Sequence, residues 1–431
     1  MKTDGHTPLT SFYLLERTEP SLSKLDHLSG SILETLRGLG MATEKLRGKR
    51  IAVAVGSRGI ASLKEIVATL CGWLKAQGAQ PFIFPAMGSH GGAAAEGQRK
   101  ILEGYGVTEA AMGVEIRSSM EAVHIGTTAE GFNVFMDRNA WESDGVVPVN
   151  RIKPHTDFSG RIESGLLKML TIGMGKLEGA TEGHRHSWKS GFETTIRSVA
   201  GKVLASGKIL FGLAVVENEL HQIALARASL PEDLVRVEET TLQLARTLVP
   251  RIPFTAFQLL VVDEMGKNIS GTGMDTKVIG RGVELPPGEA PEISMIYVRD
   301  LTPESGGNAI GMGAADVIHE RLYRKIDFGK TYLNARTALN PAGSRLPIHL
   351  PSDREALDLT LGHLGSPEPA EQRIVWIQNT LSLGRVAISA PLAREAAALE
   401  RWRLSEGTYP ADFDSAGDLK PLWQVQQQPP R

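Results

Sequence analysis

Short runs of continuously apolar residues alternate along this chain with longer segments that carry apolar residues three and four positions apart. Runs of the first kind are typical of strands that are buried on both faces of a parallel sheet. They occupy residues 50–55, 80–84, 145–150, 209–216, 257–263, 293–298 and 374–378. The helical pattern occupies residues 60–79, 95–105, 192–205 and 231–249. This alternation predicts an α/β fold with mostly parallel sheets.

A break in the pattern divides the chain, whose 431 residues suit two or three domains. A helical segment ends at Pro250, Pro253 follows, and a new strand pattern then begins. We therefore expect one α/β domain over residues 1–250 and a second over residues 251–431. Since ligands of such sheets bind beyond the carboxyl ends of the strands, we expect an active-site cleft between the two domains. The polar, proline-rich residues 424–431 are expected to form a mobile tail.

Composition and charge exclude several classes of protein. The formal net charge is −2, so nothing predicts a nucleic acid or another polyanion as partner. The single cysteine, Cys71, lies on an apolar helical face, so we expect a core residue and no disulfide framework. Neither a signal peptide nor a stretch of about 18 apolar residues is present, so no membrane partner is expected and a cytoplasmic location is predicted. The oligomeric state is left open.

Two glycine-rich loops follow the first two predicted strands. Gly-Ser-Arg-Gly occupies residues 56–59, and Met-Gly-Ser-His-Gly-Gly occupies residues 87–92. Backbone N–H groups at a helix start bind anions, and Arg58 adds a planar fork for a carboxylate or phosphate. Neither loop matches a Walker or Rossmann fingerprint. Each is therefore either an anion-binding cradle or a plain turn with solvated side chains.

The segment from Asn150 to His184 concentrates residues that can do chemistry. His155 follows Pro154 at a predicted strand end, where a histidine can serve as a general base near neutral pH or simply be bonded within a loop. Lys168 stands alone in an apolar run, so its stem is expected to be buried on a helix after Gly165. A buried ammonium shifts its pKa, pairs or becomes covalently modified. The alternative is a lysine on the wet face of an amphipathic helix.

Two further groups of polar residues lie in the chain, one in each half. His184 and His186 would share a face in a strand but not in a helix, and one of them could bind a metal. Two histidines without a nearby cysteine do not specify a zinc site, and a structural role is the alternative. In the second half, Lys277 ends a loop of acids, lysines and glycines over residues 263–277. That loop is either a substrate-facing edge or a surface turn.

Taken together, these segments resemble the nickel-pincer lactate racemase family of two-domain 2-hydroxyacid racemases and epimerases. The resemblance runs from about Val53 to the helix near Lys202, and a looser similarity continues through the second half. It rests on Pro-His at residues 154–155, on Ser-Gly-Leu-Leu-Lys at residues 164–168, and on His184 sixteen residues after the lysine.

The resemblance implies a site and a mechanism. Lys168 would be attached to a nickel-bearing pyridinium mononucleotide, and His184 would complete the nickel coordination. His155 would take the hydroxyl proton while the Cα hydrogen leaves as hydride and returns to the opposite face. Arg58 would hold the substrate carboxylate or the cofactor phosphate, and His90 would lie in the cofactor-binding Gly-x-His loop.

Two departures from the family pattern bear on the substrate. Ser119 or Met120 stands where the racemase has a first catalytic histidine, and Val55 replaces an acid that precedes the arginine. We therefore expect a small 2-hydroxy acid other than lactate. Glu121, His90 or Lys277 could serve the second face of the substrate, and Lys277 is expected to bind it. The alternatives are a phosphate- or nucleotide-binding protein without redox chemistry and a non-catalytic homologue that only binds the cofactor.

Overall fold

The computed structural model divides into two compact units. It describes residues 9, 11–57, 59–156, 158–282, 290–338, 340–365, 368–420 and 422. The N-terminal unit comprises Ser21–Val249, and the C-terminal unit comprises Pro250–Arg431 together with Met1–Pro20. The predicted first domain, residues 1–250, thus differs at its start. Strand β1 (Phe12–Arg17) belongs to the C-terminal unit because it pairs antiparallel with the strand at Arg385–Ser389.

Seven strands lie among the described residues of the N-terminal unit. They are β2 (Arg50–Val55), β3 (Gln80–Pro85), β4 (Ala122–Thr127), β5 (Asn133–Asp137), β6 (Gly145–Arg151), β7 (Gly212–Glu217) and β8 (Ile223–Ser229). Five of them form one sheet in the order β3-β2-β6-β7-β8, and β4 and β5 form a separate antiparallel pair. In the five-stranded sheet, β3, β2, β6 and β7 run parallel, while β8 is antiparallel to β7.

Nine helices surround this sheet in the described part of the unit. They are α1 (Leu28–Arg37), α2 (Leu63–Ala76), α3 (Ala95–Gly104), α4 (Glu109–Met112), α5 (Arg138–Trp141), α6 (Leu166–Lys168), α7 (Lys176–Ser190), α8 (Phe192–Ala205) and α9 (Leu234–Thr247). A π-helical turn, Met169–Gly173, continues α6.

Both faces of the N-terminal sheet are covered by apolar residues. Ile51, Val53 and Val55 of β2 join one buried cluster, while Ala52 and Ala54 join another on the opposite face. The second cluster includes residues of α6, α8 and α9. The small side chains of β2 on this face leave room for α6 to lie close to the sheet.

The C-terminal unit contains a second, larger sheet. Its other strands are β9 (Ala256–Val262), β10 (Glu292–Val298), β11 (Val317–His319), β12 (Ile348–Leu350), β13 (Ile374–Ile377), β14 (Arg385–Ser389) and β15 (Trp402–Leu404). The order is β12-β11-β10-β9-β13-β14-β1-β15. The first five strands run parallel, and the last three pair antiparallel.

Five helices accompany that sheet among the described residues. They are α10 (Thr276–Ile279), α11 (Glu320–Lys325), α12 (Phe328–Thr337), α13 (Asp353–His363) and α14 (Ala390–Ala396). The prediction of an α/β fold with mostly parallel sheets is confirmed. Within the described residues, no helix is both long and apolar enough to cross a membrane. The predicted tail at residues 424–431 lies outside the described residues.

Candidate functional site

The N-terminal sheet has its topological switch point between β2 and β6. From β2 the chain continues to β3 on one side, whereas β6 lies on the other side. Loops that leave two such strands diverge, and the crevice between them is where open α/β sheets bind ligands. The segment that follows β6 carries His155, and α6 after it carries Lys168.

Glycines in the loops after β2 and β3 allow the π-helical turn to pack tightly. A Cβ atom on Gly56 would lie 3.1 Å from Cε of Met169. The N–H of Gly88 donates to the carbonyl of Gly173 over 3.0 Å, and a Cβ atom on Gly173 would lie 2.6 Å from the Ala86 carbonyl oxygen. These glycines therefore allow close packing of the chain.

Lys168 ends a short helix whose start is fixed from the sheet. Asn150, in β6, donates a side-chain hydrogen bond over 2.8 Å to the carbonyl of Gly165, the residue before α6. Leu166 and Leu167 are buried, whereas Lys168 is half-buried. The predicted burial of the stem of this lysine on a helix after Gly165 is thus confirmed in part.

Two stacked phenylalanines lie at the centre of the candidate site. The rings of Phe158 and Phe192 are 4.7 Å apart and inclined by 6°. The ring of His155 stacks on Phe158 at 4.5 Å, and Nζ of Lys168 lies 5.7 Å from the centroid of the same ring. The His184 ring meets Phe192 at 6.2 Å, nearly edge-on. The structure therefore brings three of the sequence-predicted residues together around one aromatic stack.

The loop that carries His155 is closed by a buried acid. Lys153 and Ser164 form an isolated antiparallel bridge at the two ends of the loop. Between them, the carboxylate of Glu163 accepts hydrogen bonds from the backbone N–H groups of His155 and Gly160. Arg246 of α9 pairs with Glu163 over 2.6 Å. These contacts hold the backbone of His155 in place.

Helix α7 separates the two histidines that sequence analysis considered as metal ligands. His184 is exposed and faces Phe192. His186 instead stacks on Phe132 at 4.2 Å, and its Nε2 lies 3.2 Å from a carboxylate oxygen of Glu182. Of the two, His184 therefore shares the aromatic stack with Lys168.

His90 is oriented by the neighbouring loop. Its Nδ1 is hydrogen-bonded to Oγ of Ser57, so the loops after β2 and β3 are joined at their tips. Gln98 donates to the carbonyls of Gly88 over 2.8 Å and His90 over 3.2 Å. Arg58, the residue after Ser57, lies outside the described residues.

A buried lysine that sequence analysis missed supports the His90 loop from below. Nζ of Lys176 donates to the Pro85 carbonyl over 2.6 Å and to Oε1 of Gln98 over 3.1 Å, and it pairs with Asp137 over 3.0 Å. Burial lowers the pKa of Lys176, although Asp137 opposes this shift. The signal in the sequence was the Gly-Met-Gly-Lys run, residues 173–176, directly after an apolar segment.

Arg151, the arginine closest to His155 in sequence, forms an ion pair at the ends of β6 and β7. Arg151 pairs with Glu217, which also accepts the Ala61 N–H over 2.7 Å. Burial would raise the pKa of Glu217, but hydrogen bonds from His221, Arg151 and Ala61 and the charge of Arg151 hold it at about 2. Arg151 is therefore engaged within the protein.

The corresponding edge of the C-terminal sheet is filled by interlocked charges. Arg299, just after β10, pairs with Asp263 and over 2.7 Å with Asp353. His319 lies 2.8 Å from Asp418. The ligand atoms of His319, Asp353 and Asp418 lie within 4.8 Å of one another, a spacing that suits a metal ion. Arginines already pair with both aspartates, so the cluster is accounted for as an ion-pair network.

Lys277 lies in the C-terminal unit, in the first turn of α10. Its backbone N–H donates to Oδ1 of Asp275 over 3.0 Å, and the side chain is half-buried. The loop that contains it is thus capped by Asp275, as a helix start. The predicted role of Lys277 in substrate binding stays a prediction.

Comparisons with known proteins bear on both the N-terminal unit and the whole fold. Residues 31–194 match the family model of the lactate racemase N-terminal domain. His90, His155, Lys168 and His184 all lie within this range. No curated protein matches the chain significantly in sequence.

Two solved structures are similar in fold. The lactate racemase apoprotein from Thermoanaerobacterium thermosaccharolyticum aligns with a TM-score of 0.51 and 13% identity, over 85% of this chain and 94% of that chain. A structural-genomics target from Thermotoga maritima aligns with a TM-score of 0.49 and 15% identity, over 75% of this chain and 86% of that chain. Residues 31–194 are therefore similar to the lactate racemase N-terminal domain, and the chain shares the fold of the lactate racemase apoprotein.

Proposed function

We propose that this protein is an isomerase that racemises or epimerises a small 2-hydroxy acid other than lactate, with a nickel-pincer nucleotide attached to Lys168. The similarity of residues 31–194 to the lactate racemase N-terminal domain supports a racemase- or epimerase-type function. The observation that carries the proposal is the shared environment of His155, Lys168 and His184, which border the Phe158–Phe192 stack.

The residues around the stack fit such a cofactor chemically. Lys168 offers a half-buried amine for covalent attachment, and the exposed imidazole of His184 is a suitable ligand for nickel. The faces of the phenylalanine rings are electron-rich and attract cationic groups. When bound, the cofactor would supply reversible hydride acceptance, the redox chemistry that the side chains of the protein lack.

The protein itself would provide the proton transfer and the orientation of the substrate. His155 would take the hydroxyl proton of the substrate and later return it, because an imidazole can do both near neutral pH. Glu163 fixes its backbone, and stacking on Phe158 fixes the plane of its ring. The pre-set geometry of this base reduces the cost of reaching the reactive arrangement.

His90 is the residue that we favour for the second face of the substrate. Its hydrogen bond with Ser57 fixes the orientation of the ring at the tip of the glycine loop. Glu121, another candidate, pairs with Arg138 over 2.7 Å. Lys277 and Arg58 remain the proposed contacts to the substrate carboxylate. Arg151 is not proposed for this role because it pairs with Glu217.

The glycine loops give less support to a phosphate- or nucleotide-binding protein without redox chemistry. Gly56 and Gly88 lie against Met169 and the Ile172 carbonyl, so their lack of a side chain is explained by packing. That alternative predicts that ligand binding survives Lys168→Ala. The proposed function predicts instead that the variant loses both the attached cofactor and the activity.

The function is tested with protein purified from a host that makes the cofactor. A panel of D- and L-2-hydroxy acids is incubated with it, and loss of chirality and exchange of the Cα hydrogen are measured. We expect turnover of at least one acid by the wild type and by Lys100→Ala, an exposed lysine of α3, but not by Lys168→Ala. Loaded wild-type protein that exchanges none of them would contradict the proposal.

A further inference from the structure

Glu238 is a buried acid beneath the helix that carries Lys168. It lies on α9, where only 1% of the residue is exposed. Leu234 and Leu242, on the same face of α9, belong to the apolar cluster of this side of the sheet. The residue lies outside the range 31–194 that the family model matches. An acid in such surroundings is costly to bury, so its position requires an explanation.

The carboxyl group of Glu238 takes the place of a helix cap for α6. Its Oε2 accepts the backbone N–H of Leu167 over 2.9 Å, and Leu166 also donates to it. The residue before the helix is Gly165, which has no side chain to do this. A Cβ atom at Gly165 would lie 2.4 Å from Oε1 of Glu238, so the glycine makes room for the acid.

The other carboxyl oxygen makes this arrangement less stable than an ordinary helix cap. Oε1 of Glu238 is buried and has no hydrogen-bond partner among the described residues. Leaving a buried polar atom without a hydrogen-bond partner destabilises the folded state. A serine or asparagine at the position of Gly165 could cap the helix from within at no such cost. A role in stability alone therefore does not account for the acid.

The turn that Glu238 holds leads directly to Lys168. On the carbonyl side, Asn150 donates to Gly165 over 2.8 Å, and Met169 closes the turn by donating to the same carbonyl over 3.2 Å. On the amide side, Glu238 accepts from Leu167, the neighbour of Lys168. The peptide groups before the lysine are thus fixed from two separate elements, β6 and α9.

We propose that Glu238 is a positioning residue for Lys168, which fixes the turn that presents this lysine and tunes the reactivity of its amine. One part of this inference rests on the proposed function, namely that the reactive amine serves to attach the cofactor. The positioning itself concerns only residues of this chain.

The ionisation of Glu238 should make the reactivity of Lys168 depend on pH, which packing alone would not do. Burial raises the pKa of its carboxyl to about 7, while the backbone N–H groups and the charge of Arg197 oppose this shift. The elements packed around it carry Lys168 on α6, Glu193, Arg197 and Lys202 on α8, and Glu217 at the far end of β7. Of these, Glu193 pairs with Arg197. Above this pKa, the new negative charge at the start of α6 favours the ammonium form of Lys168 and makes its amine less reactive.

The test is competitive amine labelling of cofactor-free protein. Trace reductive methylation is run from about pH 6 to about pH 9, and mass spectrometry compares Lys168 with the exposed Lys100. In the wild type we expect the ratio of the Lys168 rate to the Lys100 rate to fall roughly threefold as pH rises through the pKa of Glu238, because the new charge favours the unreactive ammonium form of Lys168. Glu238→Gln keeps an acceptor for Leu167 and should lose this step.

A matched control lies next to Glu238 on α9. Glu239 is largely buried and pairs with Arg161 and Arg197, so Glu239→Gln removes a carboxylate without touching α6. We expect it to retain the step. Glu238→Ala, which removes the acceptor, should change the Lys168 rate at every pH. If that variant does not fold, Glu238→Gln decides.

The proposal would be overturned if the ratio of labelling rates did not fall with pH in the wild type, or if the same fall persisted in Glu238→Gln. Failure of the proposed function gives a different result. It would appear as wild-type protein without an adduct on Lys168 after expression with the cofactor, and the labelling of the cofactor-free protein would stand unaffected.

Discussion

The five-stranded sheet of the N-terminal unit and the eight-stranded sheet of the C-terminal unit differ in the residues at the carboxyl ends of their parallel strands. In the N-terminal unit, His155, Lys168 and His184 border an aromatic stack, and none of the three is fully buried. In the C-terminal unit, the same edge is filled by Arg299, whose charge is shared by Asp263 and Asp353. Parallel sheets of one type can thus present either a reactive surface or a closed ion-pair network.

This contrast indicates that the carboxyl edge of a sheet offers a place for a site, while the loops determine whether a site forms there. In the N-terminal unit, acids such as Glu163 and Glu238 lie behind the reactive residues and bind backbone N–H groups. In the C-terminal unit, the acids face the arginines directly. Four predictions test this contrast between the two units.

The largest expected effect is on the closed edge. Arg299→Met leaves Asp263 and Asp353 without their shared partner, and loss of one partner in a buried ion pair costs about 3–5 kcal/mol. Hydrogen exchange at β10 and β13 should show this loss of stability. Arg403→Met, which breaks an exposed pair with Glu16, should cost less than about 1 kcal/mol. Equal effects of the two variants would contradict the closed-edge account.

The second prediction concerns the pH dependence of the N-terminal unit. Burial raises the pKa of Glu238 to about 7 in the folded protein, from the 4.5 of an unperturbed glutamate. Since it is raised, its contribution to stability is fully present below about pH 4.5 and is lost as pH rises through 7. Between these limits, wild type should lose about 3 kcal/mol of unfolding free energy relative to Glu238→Gln. Hydrogen exchange of α6 and α9 at both ends of this range measures it, and parallel pH profiles would refute it.

The third prediction addresses how His155 is held. Glu163→Gln removes the charge that pairs with Arg246 and loosens the backbone of His155. A small displacement of a catalytic group can slow a reaction by about 10²-fold. We therefore expect kcat to fall towards that limit, with the Lys168 adduct retained. Glu193 accepts the N–H of Arg161 instead, so Glu193→Gln serves as the control. An equal loss of kcat in both variants would argue against this role of Glu163.

The smallest effect is expected for the aromatic stack. Phe192→Leu keeps an apolar side chain but removes the stacking with Phe158, which is worth about 0.5–1.5 kcal/mol. Turnover should therefore fall by no more than about tenfold. Tyr323→Leu removes a stack with His349 in the C-terminal unit and should leave turnover unchanged. A larger loss in Tyr323→Leu than in Phe192→Leu would reverse the comparison between the units.

Much of the fold could be predicted because the signals are local. The strand predicted at residues 50–55 is β2, and the helix predicted at residues 192–205 is α8. Strand β1 was missed because it pairs with β14, more than three hundred residues away. Such pairing depends on the whole fold and leaves no periodic trace in a short segment.

The candidate site was predictable in its motifs and not in its supports. Lys168 and His184 lie within one short stretch, so their spacing could be compared with a family pattern. Glu238 is distant in sequence, and only the fold brings it to Leu167. One signal was available, since Glu238 shares the helical face of Leu234 and Leu242, where an acid is unexpected. The partner of that acid could not be inferred from the sequence alone.

The most direct test of the account is the chemical state of Lys168. Protein from a host that makes the nickel-pincer nucleotide is analysed by intact mass, by the mass of the peptide that contains Lys168, and for bound nickel. We predict a nucleotide adduct on Lys168 with about one nickel ion per chain, and loss of nickel but not of the adduct in His184→Ala. Wild-type protein with an unmodified Lys168 and no nickel would contradict the account.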